Sequence, residues 1–164
     1  MEQNAHIKRR SVQYGYSLVE LILTLLIIGI IAAIAIPSIN NFVTQSKIKA
    51  TEREMMELVR GMIGDPESGF YGYKDNLGDL PPDGNLDALF TIGTASPYNP
   101  FTKTGWNGPY CETRQIDTDN DGTPDDYDLK YDVWGNAYTY DKTNATITSN
   151  GPPPYSTNIV VDIE

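Results

Sequence analysis

One stretch limits this chain more than any other. Tyr16 to Ile36 reads YSLVELILTLLIIGIIAAIAI, 21 residues with a single charge at Glu20. No charged residue occurs between Leu21 and Ser46. A helix of about 20 apolar residues is long enough to cross the roughly 30 Å hydrocarbon core of a bilayer. The segment ahead of it is short and polar and carries Lys8, Arg9 and Arg10. That basic cluster is expected to stay cytoplasmic and to send the C-terminal part outside. Glu20 then stands out, because an unpartnered carboxylate inside a membrane helix costs roughly 2.5–3.5 kcal/mol or more.

The remaining composition narrows the function. The formal net charge is −10, and 17 of the 22 acidic residues lie from Asp65 onward, so the chain has no basic footprint for nucleic acid. The one histidine, His6, precedes the apolar run. If that segment is removed, histidine-dependent nucleophilic catalysis and histidine-bearing zinc sites are excluded. The one cysteine, Cys111, cannot close an intrachain disulfide and reads as a packed thiol. The eleven tyrosines suit interfaces and a small sheet. Asn144-Ala145-Thr146 matches a glycosylation acceptor pattern and is treated as chance. No catalytic constellation is visible, and the chain is not expected to be an enzyme.

Two readings of the N-terminus compete. In one, residues up to Ala33-Ile34-Ala35 form a secretory signal peptide with an A-x-A-like cut, and the rest is a secreted Ca2+-binding module. That leaves Glu20 without a purpose. In the other, Gly15-Tyr16-Ser17-Leu18-Val19-Glu20, the apolar run and Pro37 form a unit. This unit resembles the N-terminus of type IV pilins and type II secretion pseudopilins. The resemblance implies a leader over 1–15, cut by prepilin peptidase after Gly15, with Tyr16 as the new, N-methylated first residue. It also implies that Glu20 pairs with the terminal amine of a neighbouring subunit. An unpaired buried charge is costly, so such pairing would select one axial register.

Beyond Pro37, Met55, Leu58, Val59 and Met62 recur at helical spacing and form a stripe to bury. Lys47, Lys49, Glu52, Arg53, Glu54, Glu57 and Arg60 supply a wet face. Gly61, Gly64 and Pro66 are stop signals. The spacing predicts one helix over 16–63, 48 residues and about 70 Å long at 1.5 Å per residue. It divides into a membrane-spanning or filament-core half, 16–37, and an amphipathic half, 38–63. Pro37 is expected to bend or locally melt it.

Residues 65–164 read as a globular head. Asp65 to Pro100 is a loop with short elements. Tyr131–Trp134 and Ala137–Tyr140 look like strands around a Gly135-Asn136 turn, and Ala145–Thr148 and Ile159–Ile163 are further strand candidates. The expected class is α+β, a long helix packed on a small antiparallel sheet. Three head segments are similar to the major pseudopilin of type II secretion: Gly105-Trp106-Asn107-Gly108-Pro109-Tyr110, Asp132 to Tyr138, and Ser149-Asn150-Gly151. Val133 and Ala137 stand where the family usually has proline.

The segment Asp117 to Asp128 puts six acids in twelve residues. Carboxylates this close repel, and a hard dication with oxygen ligands resolves the repulsion. Asp117, Asp119, Asp121, the Thr123 carbonyl, Asp125 and Asp128 match the ligand spacing of an EF-hand-type loop, with Gly122 at the turn. Asp128 is shorter than the usual glutamate, and no amphipathic helices flank the loop. It therefore looks more like the loops of thrombospondin type 3 repeats than a sensor EF-hand, and a structural Ca2+ is expected. The competing reading is a solvated acidic loop.

The resemblance implies a filament subunit that assembles with copies of itself. The resemblance adds an inner-membrane assembly platform and minor pseudopilins as partners. It places the head in the periplasm before assembly. The first expectation is the major pseudopilin of type II secretion, in a periplasmic pseudopilus. The alternative is a surface type IV pilus subunit serving adhesion or motility.

Overall fold

The computed structural model describes residues 15–153 and 158–163, and the side chains of all of these except Pro37 and Ser38. Apart from Gly15, the expected leader and its His6 lie outside the described residues. The chain divides into two compact units, Met1–Phe42 and Val43–Glu164.

A single helix, α1, spans Leu18–Ile63 and crosses that division. Its start is set by Ser17, whose Oγ accepts the Glu20 backbone N–H at 3.2 Å, while the Ser17 carbonyl accepts from Leu21 N–H at 3.1 Å. A serine before the first turn satisfies a donor that has no partner within the helix. Glu20 in the first turn adds negative charge where the helix dipole favours it. The chain is helical through Pro37, so the melting expected there is not found. Proline removes only its own N–H, and helix already formed on both sides carries the chain past it. In the unit ending at Phe42 no described residue is buried. Its leucines, isoleucines and valines are exposed on every side of the helix. Among the described residues, α1 is the one helix long and apolar enough to cross a membrane, with a mean hydropathy of 2.9 in its most apolar window.

In the second unit the predicted stripe is the core. Met55, Leu58 and Met62 are fully buried, and Val59 packs at the margin. They meet Leu86, Leu89, Phe90, Tyr110, Tyr138, Tyr140, Ile147 and Ile163 in one cluster. α1 ends as expected at Gly64, which is left-handed at φ 82° and donates to the Arg60 carbonyl at 2.8 Å. Gly61 has a different role from the stop signal expected of it. A methyl group there would collide with Cys111 Sγ and crowd the Tyr110 carbonyl, so this glycine lets the 110–111 backbone lie against the helix.

A short helix, α2 (Tyr73–Leu77), and 3-10 turns at Pro66–Ser68 and Leu86–Leu89 are the short elements expected in the loop segment 65–100. Two strands, β1 (Gln115–Ile116) and β2 (Asp126–Tyr127), pair antiparallel. β3 (Thr139–Asp141), β4 (Thr146–Ser149) and β5 (Ile159–Asp162) form an antiparallel sheet in that order. The β3–β4–β5 sheet and α1 make the fold α+β. The sequence does not predict β1 and β2. The predicted strand at Tyr131–Trp134 is absent, leaving one isolated Tyr131–Ala137 bridge. The reason is local. Asp132 Oδ1 accepts the N–H groups of Trp134 and Asn136 at 2.9 and 2.8 Å, and Gly135 N–H donates to the Asp132 carbonyl at 2.8 Å. These donors close a turn instead of a ladder.

Candidate functional site

Of the residues expected to act in processing and assembly, Gly15, Tyr16 and Glu20 gather at the start of α1, and Pro37 lies within it. Gly15 and Tyr16 precede the helix, and Tyr16 is 83% exposed. An added methyl at Gly15 would meet nothing within 4 Å, and Gly15 is not in the left-handed region. The fold itself therefore places no demand for glycine there. Glu20 is exposed at the third helical position, held by the Ser17 cap. The S-x-x-E spacing of Ser17 and Glu20 is the sequence signal of this cap. Ala33-Ile34-Ala35, the rival cleavage site, lies inside α1.

The head segments that carried the resemblance are physical units. Trp106 Nε1 donates to the Ala88 carbonyl at 2.9 Å. Its ring meets Tyr110 edge-on at 5.8 Å, and Tyr110 meets Tyr73 at 5.6 Å. The second and third segments join. Ser149 Oγ donates to Asp132 Oδ2 at 2.6 Å and accepts from Gly151 N–H at 3.0 Å, and Asn136 Nδ2 donates to Asp132 Oδ2 at 3.0 Å. Asp132 is 5% exposed. Burial pushes its carboxyl upward, but the hydrogen bonds from Ser149 and Asn136 outweigh burial and hold it below the usual aspartate range. A buried carboxylate with this many donors is a structural tie.

Beside that tie lies a cavity of about 320 Å³ whose lining includes Glu54, Glu57, Glu112, Asp128 and Asp132. Tyr138 OH donates to Glu54 Oε2 at 2.9 Å. Burial raises the Glu54 carboxyl above its ordinary value, helped by Asp128, Asp132 and Glu57, against the lowering pull of Tyr138. Cys111 is 5% exposed, and its thiol lies 3.6 Å from the Glu57 carbonyl. Burial pushes that thiol up to about 12, so it is packed and unreactive, as the sequence indicates.

The acidic loop hangs between β1 and β2. Carboxylate oxygens of Asp117, Asp119 and Asp121 lie within 4.8 Å of one another. Asp117 Oδ2 accepts Gly122 N–H at 2.7 Å, and Asp121 Oδ1 accepts Thr123 N–H at 2.7 Å. The Gly122 hydrogen bond is the main cause holding the Asp117 carboxyl below its ordinary value. Gly122 takes φ 93°, a conformation that favours glycine. The other two predicted carboxylates are engaged elsewhere. Asp125 Oδ1 accepts from Thr118 N–H and Oγ at 2.9 Å, and Asp128 Oδ2 pairs with Arg114 at 2.8 Å. Asp126 pairs with Lys130 at 2.7 Å, and Lys130 also holds Asp87 at 2.8 Å. The converging set of charged oxygens fits a hard cation such as Ca2+.

Residues 10–36 match the family model described as the prokaryotic N-terminal methylation motif. The chain is 34% identical over 98 residues to a fimbrial protein of Dichelobacter nodosus, covering 50% of this chain and 60% of that protein. It is 32% identical over 96 residues to the type IV major fimbrial protein FimA of the same organism, with the same coverage. It is 35% identical over 85 residues to fimbrial protein Q of Moraxella bovis, covering 51% of this chain and 52% of that protein. The chain thus spans about 60% of the length of the first curated relatives it matches. No solved structure matches it significantly. Residues 10–36 thus carry the N-terminal methylation motif, and about half of the chain is similar to fimbrial proteins.

Proposed function

We propose that this chain is the structural subunit of a type IV pilin-like helical filament, displayed at the cell surface as a type IV pilus. The observation that carries the reading is α1 up to Phe42, an apolar helical surface exposed on all sides, with Glu20 in its capped first turn. Such a surface needs lipid before assembly and other helices after it. Prepilin peptidase would cut after Gly15, where the fold makes no use of glycine. The new amine at Tyr16 would pair with Glu20 of a neighbouring copy. Before assembly the helix would anchor the subunit in the inner membrane, with the assembly platform as partner.

The similarity to fimbrial proteins supports the surface pilus over the pseudopilus. A periplasmic type II secretion pseudopilus, with its minor pseudopilins, is favoured by the 105–110 and 132–138 segments. We further propose that the loop holds a structural Ca2+ through Asp117, Asp119 and Asp121. Asp125, Asp128 and the Thr123 carbonyl would complete it, with the two carboxylates released from Thr118 and Arg114. The ion would neutralise the loop and tie β1 to β2.

The intact mass of the subunit in filaments sheared from native cells tests the reading. A chain starting at methylated Tyr16 in the sheared fraction is expected. The same chain found only in the cell envelope would favour the pseudopilus. A chain starting after Ala35, or uncut, would overturn the filament reading and leave a secreted or anchored Ca2+ module.

A further inference from the structure

The side chain of Phe101 is 96% exposed, more than any other large hydrophobic residue among those described. Lone surface hydrophobics are common and need no explanation by themselves. This one is held out by its own loop. Asn99 N–H donates to the Thr104 carbonyl at 2.8 Å, and Lys103 N–H donates to the Asn99 carbonyl at 2.8 Å. Asn99 Oδ1 accepts the Phe101 N–H at 2.9 Å, and the Thr102 and Thr104 hydroxyls meet at 2.8 Å. Lys103 closes the turn at φ 57°. A pinned loop has already met much of the ordering cost that a flexible one would meet on docking, so an aromatic at its tip is a low-entropy anchor.

The same unit carries a recess. Phe90, Pro109, Cys111, Glu112, Thr113 and Tyr127 line a cavity of about 310 Å³. Phe90 and Tyr127 stack in its wall at 4.6 Å between ring centroids. Glu112 is exposed at the cavity and has no ion pair among the described residues. Lys103, two residues from Phe101, has none either. The loop therefore offers an aromatic ring and a cation, and the recess offers the half-buried Tyr127 stacked on the largely buried Phe90, with an anion beside them. Phe101 cannot fill the recess of its own chain while its loop holds it in solvent.

We propose that Phe101 of one subunit docks in the Phe90–Tyr127 recess of a neighbouring copy, with Lys103 meeting Glu112. The proposal rests on the filament reading and names a head-to-head contact within it. Knob and recess are different surfaces of one chain, so the contact is heterologous, and repeated from subunit to subunit it propagates an open helix. An exposed aromatic entering a desolvated aromatic pocket is the kind of anchor that dominates interface energy.

The test uses the full chain in cells that assemble it. Replacing Phe101 with the photoreactive analogue p-benzoylphenylalanine and irradiating filaments should give dimers cross-linked to the neighbour's 109–113 segment or to Phe90 or Tyr127. Phe101→Ala should raise the subunit level needed for filaments roughly 30-fold, the loss of one interface anchor, without changing the melting temperature of the head. Lys103→Glu should lower filament yield, and adding Glu112→Lys should restore it. Cross-links elsewhere on the neighbour, on another protein, or nowhere in intact filaments would overturn the contact, as would unchanged assembly of Phe101→Ala. Those results leave the filament reading standing. Absence of filaments from the unaltered chain removes both.

Discussion

The two units of the chain solve the problem of apolar surface in opposite ways. From Val43 onward, α1 carries a single apolar stripe, and Met55, Leu58 and Met62 are sealed by the rest of the same unit. Up to Phe42, the same helix is apolar on all sides and buries nothing against its own unit. One unit has a core of its own. The other is a surface that needs other molecules to cover it. Polar groups follow the same division. In the first unit the notable polar group is one carboxylate, Glu20, at a capped helix start. In the second, Asp132, Ser149, Asn136 and Gly151 satisfy one another within the unit. A defect in the first unit should therefore appear in assembly, and a defect in the buried core of the second in stability.

The largest expected effect breaks assembly alone. Glu20→Val should leave a processed, inserted subunit whose head melts normally. Filament yield should collapse if Glu20 pairs with a neighbour's amine as proposed, because removing one partner of a buried ion pair costs about 3–5 kcal/mol at each contact. Normal filament yield on electron micrographs would remove the pairing argument. The converse variant is Asp132→Ala. It strands donors from Ser149 and Asn136 and should destabilise the head by about 3 kcal/mol, read by thermal melting, while N-terminal processing stays intact.

The remaining three effects sharpen the account of the head. Removing calcium with EDTA should lower the melting temperature. For a site filled at about 100 times its dissociation constant the loss is about 2.7 kcal/mol, and re-added Ca2+ should restore it. An unchanged melting temperature would leave a solvated acidic loop. Gly61→Ala should cost about 1–3 kcal/mol, because the new methyl meets Cys111 and the Tyr110 carbonyl. The companion Gly61→Ala, Cys111→Ala variant should recover part of it by denaturant titration. The smallest effect is at Glu54. Its carboxyl is raised in the folded state, so its favourable contribution is present at acid pH and fades as pH rises through the raised value. Glu54→Gln should therefore stabilise the head at neutral pH by at most about 0.5 kcal/mol, because solvent screens a group this open. The gain should shrink as the pH is lowered.

Much of this architecture was legible because long-period signals are hard to mistake. The uncharged run and the Met55, Leu58, Met62 spacing specify α1, and Gly64 marks its end. The class, and strands β3, β4 and β5 to within two residues, follow from apolar runs between turn residues. Side chains that bond their own backbone hide the rest. Tyr131–Trp134 reads as a strand from its residue types, but Asp132 draws the Trp134 and Asn136 N–H groups into a turn. β1 and β2 are each two residues long, too short for any alternation to show. Gly61 has the look of a helix stop, and only the closeness of Cys111 reveals its packing role. In the acidic loop the spacing identifies the carboxylates. It does not reveal that Thr118 and Arg114 hold Asp125 and Asp128, because those partners are set by the loop's path.

On the proposed filament reading, residues 43–164 fold around a core of their own and the helix before them serves assembly. The most direct measurement is thermal unfolding and solution mass of the isolated 43–164 fragment in aqueous buffer without detergent. The expected result is a monomer that unfolds in one cooperative transition and never enters filaments. A fragment that is unfolded without the preceding residues, or one that polymerises by itself, would contradict it.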